Sequence, residues 1–187
     1  MKYEEVLGTG GGEVYRPPIT EDSPCYIMYT GGRQGSRRAR SRPIVTGSHA
    51  QSVIELALDR ADVHLMTLPM YHVSLWSLFG HLYRGATTVL MERWDPTEAL
   101  RLIEAEGVTT TNMVPTMLGD LLTAIESGRS NDCSSLRLLT TAGSAISLGL
   151  YERATREFGE IIGTLYGLTE TVAGPVTSSL RANLTGR

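Results

Sequence analysis

Three glycines set the rhythm of this chain. Gly107, Gly128 and Gly159 each follow a stretch of helically spaced apolar residues, and each precedes a β-rich segment. Glycine reaches the left-handed conformation that closes a helix without steric cost. Before Gly107, Asp95 is placed to cap, Pro96 suits the first helical position, and Glu98 is spaced to reach back as in a capping box. Leu100 and Ile103 give that helix its apolar face. Pro115 opens a second helix running to Ile125, and Ser147 a third running to Phe158. Between and around them, 63–68, 87–91, 108–114, 136–140 and 161–165 read as strands, 50–61 and 74–83 as helices, and 25–29 as a short buried strand. Val53, Ile54, Ala57, Leu58 and Ala61 carry the 50–61 helix. Such alternation predicts an α/β fold, a parallel β-sheet with flanking helices.

Ligands of a parallel sheet sit outside the carboxyl ends of its strands. That rule selects four loops, 30–42, 69–73, 141–146 and 166–171. Residues 1–24, punctuated by Gly8, Gly10, Gly11, Gly12, Pro17 and Pro18, read as a connector.

Composition narrows the classes. With 187 residues, 41% hydrophobic and 20% charged, the chain is the size of one globular domain and is no disordered tail, collagen or coiled coil. A net charge of −3 argues against nucleic-acid binding by bulk electrostatics. Lys2 is the one lysine among 17 basic residues, so any lysine chemistry has a single candidate. Cys25 and Cys133 form neither a disulfide framework nor a zinc site. The sequence shows no signal peptide and no membrane span, and a cytoplasmic protein is expected.

The loops themselves are open to two readings each. Thr30, Gly31, Gly32 and Gly35 with Arg33, Arg37 and Arg38 suit backbone N–H groups and guanidinium forks converging on a phosphate, or equally a solvated basic loop. The arrangement is not a Walker-type loop. The arginines between 33 and 42 also allow an RNA backbone, against which the net charge and the lack of interleaved aromatics count. His72 follows Leu68, Pro69, Met70 and Tyr71, and a lone histidine beside apolar residues is more often structural than catalytic. His49, His64 and His81 show no metal-ligand spacing. In the last loop Tyr166, Thr169 and Glu170 bring a stacking ring, a hydroxyl and a carboxylate within five residues. A capped helix start explains them as well.

Taken together and in order, the loops resemble the adenylate-forming (AMP-binding) superfamily, of the acyl-CoA synthetase or fatty-acid–CoA ligase type. Residues 30–39 lie where that family's phosphate loop, [ST]-S-G-[ST]-[ST]-G-x-P-K-G, should be. Leu68-Pro69-Met70-Tyr71-His72 is similar to its L-P-x-[FY]-H segment, and Val114-Pro115-Thr116-Met117-Leu118 to its V-P-x-M-L helix start. Thr141-Ala142-Gly143-Ser144-Ala145 falls on the turn that flanks adenine, and Tyr166-Gly167-Leu168-Thr169-Glu170 matches Y-G-x-T-E throughout. The resemblance implies activation of a carboxylic acid by MgATP to an acyl-adenylate, then transfer to CoA. It would place Tyr166, Gly167, Gly143, Ser144 and Ala145 around adenine and Thr169 on the α-phosphate. Glu170 would hold magnesium, and Thr30, Gly31, Gly32, Gly35 and Arg38 the outer phosphates. His72, Thr164, Leu165 and Leu168 would line the acyl pocket.

The departures are specific. Gly31 stands for a serine, Arg33 and Gln34 for the hydroxyl pair, Arg37 for a proline, Arg38 for the lysine, and Ala145 for the turn's proline. On this reading residues 25–187 are part of the large domain. The family's ribose-anchoring aspartate and lysine-bearing C-terminal lid would be absent, activity by the chain alone is not expected, and truncated faces would favour self-association. The alternative is a non-catalytic nucleotide-binding or interaction protein derived from the same fold. Which acid is used is not written in these motifs.

Overall fold

The computed structural model describes residues 18, 20, 24–31, 37–43, 56–71, 74–129, 131–165 and 178–179, with side-chain detail over 56–71, 74–129 and 131–165. Strands β1 (Pro24–Gly31) and β2 (Arg37–Pro43) form a two-stranded antiparallel sheet. Then come β3 (Val63–Met66), α1 (Ser74–Arg84), β4 (Thr87–Leu90), α2 (Pro96–Glu106), β5 (Thr110–Met113), α3 (Pro115–Glu126), β6 (Leu138–Thr141), α4 (Leu148–Phe158), β7 (Ile162–Thr164) and β8 (Ser178–Ser179). The second sheet has the order β4-β3-β5-β6-β7-β8, parallel throughout except for the β7–β8 pair.

Alternation along the strands divides the core. Leu65 and Met113 join Ala99, Leu100, Ile103 and Leu121 under α2 and α3, while Leu139 and Ile162 join Leu118, Leu122, Tyr151 and Ala154 under α3 and α4. His64 and Thr110, one position away on β3 and β5, face α1 on the other side.

The glycine stops act as the sequence predicts. Gly107 closes α2 at φ 60°, with its N–H on the Ile103 carbonyl, and Gly128 and Gly159 follow α3 and α4 at positive φ. Three expectations are corrected. From residue 56 the predicted 50–61 helix is a series of turns, with Ala57 at φ 47°. The Leu56 and Ala57 carbonyls accept from the Arg137 guanidinium at 3.4 and 3.0 Å instead of from a helix ladder; residues 50–55 lie outside the described residues. The 25–29 strand does not open the parallel sheet, and most of the 30–42 loop is strand. Arg38, Arg40 and Arg42 alternate with Ala39 and Ser41 at the strand period, and the register sets Arg38 opposite Thr30. Finally, Asp95 caps α2 alone, accepting from the N–H groups of Thr97 and Glu98 at 2.8 and 3.0 Å. The Glu98 carboxylate turns outward to Arg101, at 2.8 and 2.7 Å, and leaves the box half made.

The amino ends of the strands are stitched together by polar side chains. Asp62, 3% exposed, accepts from Arg137 Nε at 2.8 Å, the Thr109 hydroxyl at 2.7 Å and, through Oδ2, the Asp59 N–H at 2.7 Å. Arg137 Nη2 reaches Oδ2 as well. Burial pushes this carboxyl up, but hydrogen bonds from Arg137, Asp59 and Thr109 more than offset it and leave the pKa at about 2. One carboxylate thereby ties together the starts of β3, β5 and β6.

Candidate functional site

At the opposite edge the chain leaves β3 toward β4 and leaves β5 toward β6, so the two connections diverge at a topological switch point, where ligands of such sheets bind. After β3, the Thr67 hydroxyl donates to the Asn112 carbonyl at 2.6 Å, and the buried Ser74 hydroxyl donates to the Pro69 carbonyl. These bonds hold the turn and leave Met70 and Tyr71 exposed. After β5, Val114 is extended and Pro115 starts α3. After β6, the Ala142 N–H donates to the Met113 carbonyl at 3.2 Å, and the chain turns at Gly143 with φ 88°. A Cβ on Gly143 would stand 3.3 Å from Val114 Cγ1, so handedness and space both ask for glycine. After β7, the Leu165 N–H donates to the Thr141 carbonyl at 2.8 Å.

The electrostatics of this edge favour an anion. Residues 67–71, 114–116 and 142–146 carry no charged side chain. Both α3 and α4 begin here with no acid in the first turn, and α3 has no side-chain cap, so two helices bring positive ends to this edge with no carboxylate of their own first turns against them. Buried at the same edge, Asn112 Oδ1 and Thr164 Oγ1 have no hydrogen-bond partner.

Of the residues expected to form the site, the fold brings Gly143, Ser144, Ala145, Thr164 and Leu165 to this one edge, from the ends of two adjacent strands. Gly143, Ser144 and Ala145 are exposed there. Thr30 and Gly31 end β1, and Arg38 lies in β2. Gly32, Gly35, His72, Tyr166, Gly167, Leu168, Thr169 and Glu170 lie outside the described residues. Sequence reasoning missed Asn112; its signal was an amide in a β-rich run, where asparagine is disfavoured.

The remaining reactive side chains serve the fold. His64 and His81 stack with ring centroids 4.0 Å apart. His81 Nδ1 must donate to the Ser77 carbonyl at 2.7 Å, which leaves its Nε2 to accept from the Thr110 hydroxyl at 2.9 Å. That hydroxyl then accepts from His64 Nδ1 at 3.0 Å, and His64 Nε2 accepts from the Ser77 hydroxyl at 2.9 Å. A single carbonyl thus fixes both tautomers, and both rings are neutral. Burial and the neighbouring His81 push His64 down to about 3, and burial lowers His81 too. Burial and nearby carboxylates raise Cys133 to about 11, which makes it a poor nucleophile. Among the described residues no group of three His, Cys, Asp or Glu side chains could hold a metal.

The chain is similar to several known proteins. The family model described as "AMP-binding enzyme" matches residues 2–186. The long-chain-fatty-acid–CoA ligase of Thermus thermophilus is 35% identical over 190 residues, covering 98% of this chain and 34% of that protein. The 2-succinylbenzoate–CoA ligase of Bacillus licheniformis is 34% identical over 165 residues, covering 83% of this chain and 33% of that one. The chain therefore spans about a third of the length of the curated relatives it matches. Among solved structures, O-succinylbenzoate coenzyme A synthetase from Bacillus subtilis in complex with AMP superposes with a TM-score of 0.82 at 29% identity, over 99% of this chain and 38% of that one. The same enzyme with ATP and magnesium ion gives 0.78 at 28% identity, over 97% of this chain and 38% of that one.

Proposed function

Because the chain belongs to the AMP-binding enzyme family, we propose that it is the nucleotide-contacting part of an ATP-dependent acyl-CoA ligase. In this reading a carboxylate oxygen attacks the α-phosphorus of ATP, pyrophosphate leaves with the broken bond's electron pair, and CoA then displaces AMP from the acyl-adenylate. The observation that carries it is the Gly143 turn. Its positive φ and its close approach to Val114 require glycine there, which lets the backbone approach a planar base closely, at an edge where two helices begin and phosphates would find N–H groups. Tyr166 and Gly167 would complete the adenine contact with Gly143, Ser144 and Ala145. Thr169 would hold the α-phosphate, and Thr30, Gly31, Gly32, Gly35 and Arg38 the outer phosphates. His72, Thr164, Leu165 and Leu168 would face the acid. Glu170 and Thr169 are hard oxygen donors of the kind magnesium takes, and the ion, when bound, would neutralise charge on the phosphates. The uncharged loops and helix ends would stabilise the rest of the charge as pyrophosphate departs.

Calorimetric titration of ATP, with and without magnesium, on the wild type and Glu170→Ala tests this. Magnesium-dependent binding lost in the variant is the expected result; no binding by well-folded protein overturns the site. A second reading, a nucleotide-binding protein without ligase activity, is favoured by the phosphate loop's Gly31, Arg33, Gln34 and Arg38. Acid-dependent exchange of labelled pyrophosphate into ATP separates the two.

A further inference from the structure

We infer that the acid taken at this site bears a hydroxyl or amide on its acyl portion and that Asn112 reads that group; the inference rests on the ligase reading above. Asn112 is 8% exposed and sits in a strand whose other residues are threonine and methionine. Its Oδ1 is buried without a partner, and the hydroxyls of Thr67, Thr110 and Thr140 on its own and adjoining strands are committed elsewhere. The Thr67 hydroxyl is spent on Asn112's own backbone carbonyl, and that of Thr110 on His81. The Thr140 hydroxyl turns to the Thr111 carbonyl at 3.5 Å. A buried amide in that state costs stability that valine or leucine would not, so its presence is explained by a group that arrives from outside.

Its position says from where. Register aligns Met66, Asn112, Thr140 and Gly163 in one row across β3, β5, β6 and β7. The row lies on the face shared with His64 and Thr110, two residues short of the positions where the loops bearing Leu68, Val114, Ala142 and Leu165 leave the sheet. An acid whose carboxylate stays at those loops would lay its acyl portion along this row, over a thioether, an amide, a hydroxyl and a residue with no side chain. An amide presents an acceptor and a donor side by side, which a hydroxyl or another amide can satisfy and a plain hydrocarbon cannot.

The test titrates phenylacetate, its 2-, 3- and 4-hydroxy derivatives, hexanoate, 6-hydroxyhexanoate and adipic acid monoamide, in the presence of ATP and magnesium. The proteins are the wild type, Asn112→Leu and Asn112→Val, with ATP binding and thermal melting measured on each. At least one polar acid should bind the wild type about tenfold or more tightly than its plain parent. The variants should lose that preference, keep ATP binding and melt at or above the wild-type temperature. Equal binding of polar and plain acids by a wild type that binds ATP would overturn the inference and leave the ligase reading standing. So would variants that melt lower with the preference intact, which would make the amide a structural group. Failure of the wild type to bind ATP would take both down.

Discussion

The two ends of the same parallel strands treat buried polar groups in opposite ways. At the amino end Asp62, Thr109 and Arg137, and further along His64, His81, Thr110 and Ser77, form closed networks in which each donor has an acceptor. At the carboxyl end Asn112 Oδ1 and Thr164 Oγ1 are buried and unpaired, Gly143 is held at positive φ, and Met70 and Tyr71 stand in solvent. Thr88, on the edge strand beside His64, and Thr155, in the second half of α4, are the two exceptions away from that end. Satisfied polar groups rigidify a fold, whereas unsatisfied ones mark where it waits for something else. The first kind should govern stability and the second ligand binding, and each prediction below can break that division.

Asp62→Ala should have the largest effect. It leaves Arg137 without its carboxylate and opens the joint between the starts of β3, β5 and β6, a loss of about 3 kcal/mol, the low end for broken buried pairs because the Arg137 side chain is 38% exposed. For a chain of this size that is about 10 °C in melting temperature, readable by circular dichroism. A shift of only a degree or two would show that the amino-end network is ornamental, and the contrast between the ends would collapse.

Acid should act on the same region next. The folded state holds His64 neutral, with a pKa of about 3 against an ordinary 6.5. An unfolded chain binds the proton first, so the stabilisation is fully present above pH 6.5 and is lost as pH falls from there toward 3. Between pH 7.5 and 5 the loss from His64 is about 2 kcal/mol, and His81, shifted the same way, adds to it. Asp62 contributes nothing in that window, because its stabilisation is lost only as pH falls from 3.8 toward about 2. Urea titrations from pH 7.5 to 5 should show the decline, and His64→Gln should flatten it. A wild-type stability flat over that range would mean the rings are not held neutral.

How much of this could be read beforehand follows from whether the governing interaction was local. The α/β alternation, the helix stops at Gly107, Gly128 and Gly159, and the Asp95 cap depend on neighbours within a few residues, and they stand in the structure as the sequence predicts. From residue 56 turns stand where the 50–61 helix was predicted, because Arg137, some eighty residues away, takes the Leu56 and Ala57 carbonyls that its last turn would need. The histidine stack was invisible for the same reason: His64 and His81 meet only when α1 lies down on β3. Glu98 failed differently. Two partners were within local reach, and a mobile guanidinium on the exposed face won over a backbone N–H that needs the chain bent back. For the candidate site, family motifs pointed to Gly143 and its neighbours, which the fold sets just after β6. Asn112 was missed because one polar residue in a strand looks like noise until burial shows that nothing answers it.

The sharpest test of the division is a residue whose loss should separate the two ends' properties. Gly143 has φ 88°, where any other residue pays about 1–2 kcal/mol for the left-handed backbone, and an added Cβ meets Val114 Cγ1 at 3.3 Å. Gly143→Ala should therefore lower the melting temperature by only a few degrees, well short of Asp62→Ala. Its effect on ATP should be out of proportion, because the clash can be relieved only by moving the turn proposed to face adenine or by displacing Val114 at the start of α3. A drop of tenfold or more in ATP affinity at a temperature where the variant is fully folded is the expected result. Asp62→Ala, measured below its own melting transition, should leave ATP affinity near the wild-type value. If instead the two variants lose ATP binding in proportion to their loss of stability, the carboxyl edge is not a separate functional layer. Binding would then report only how much of the sheet is folded.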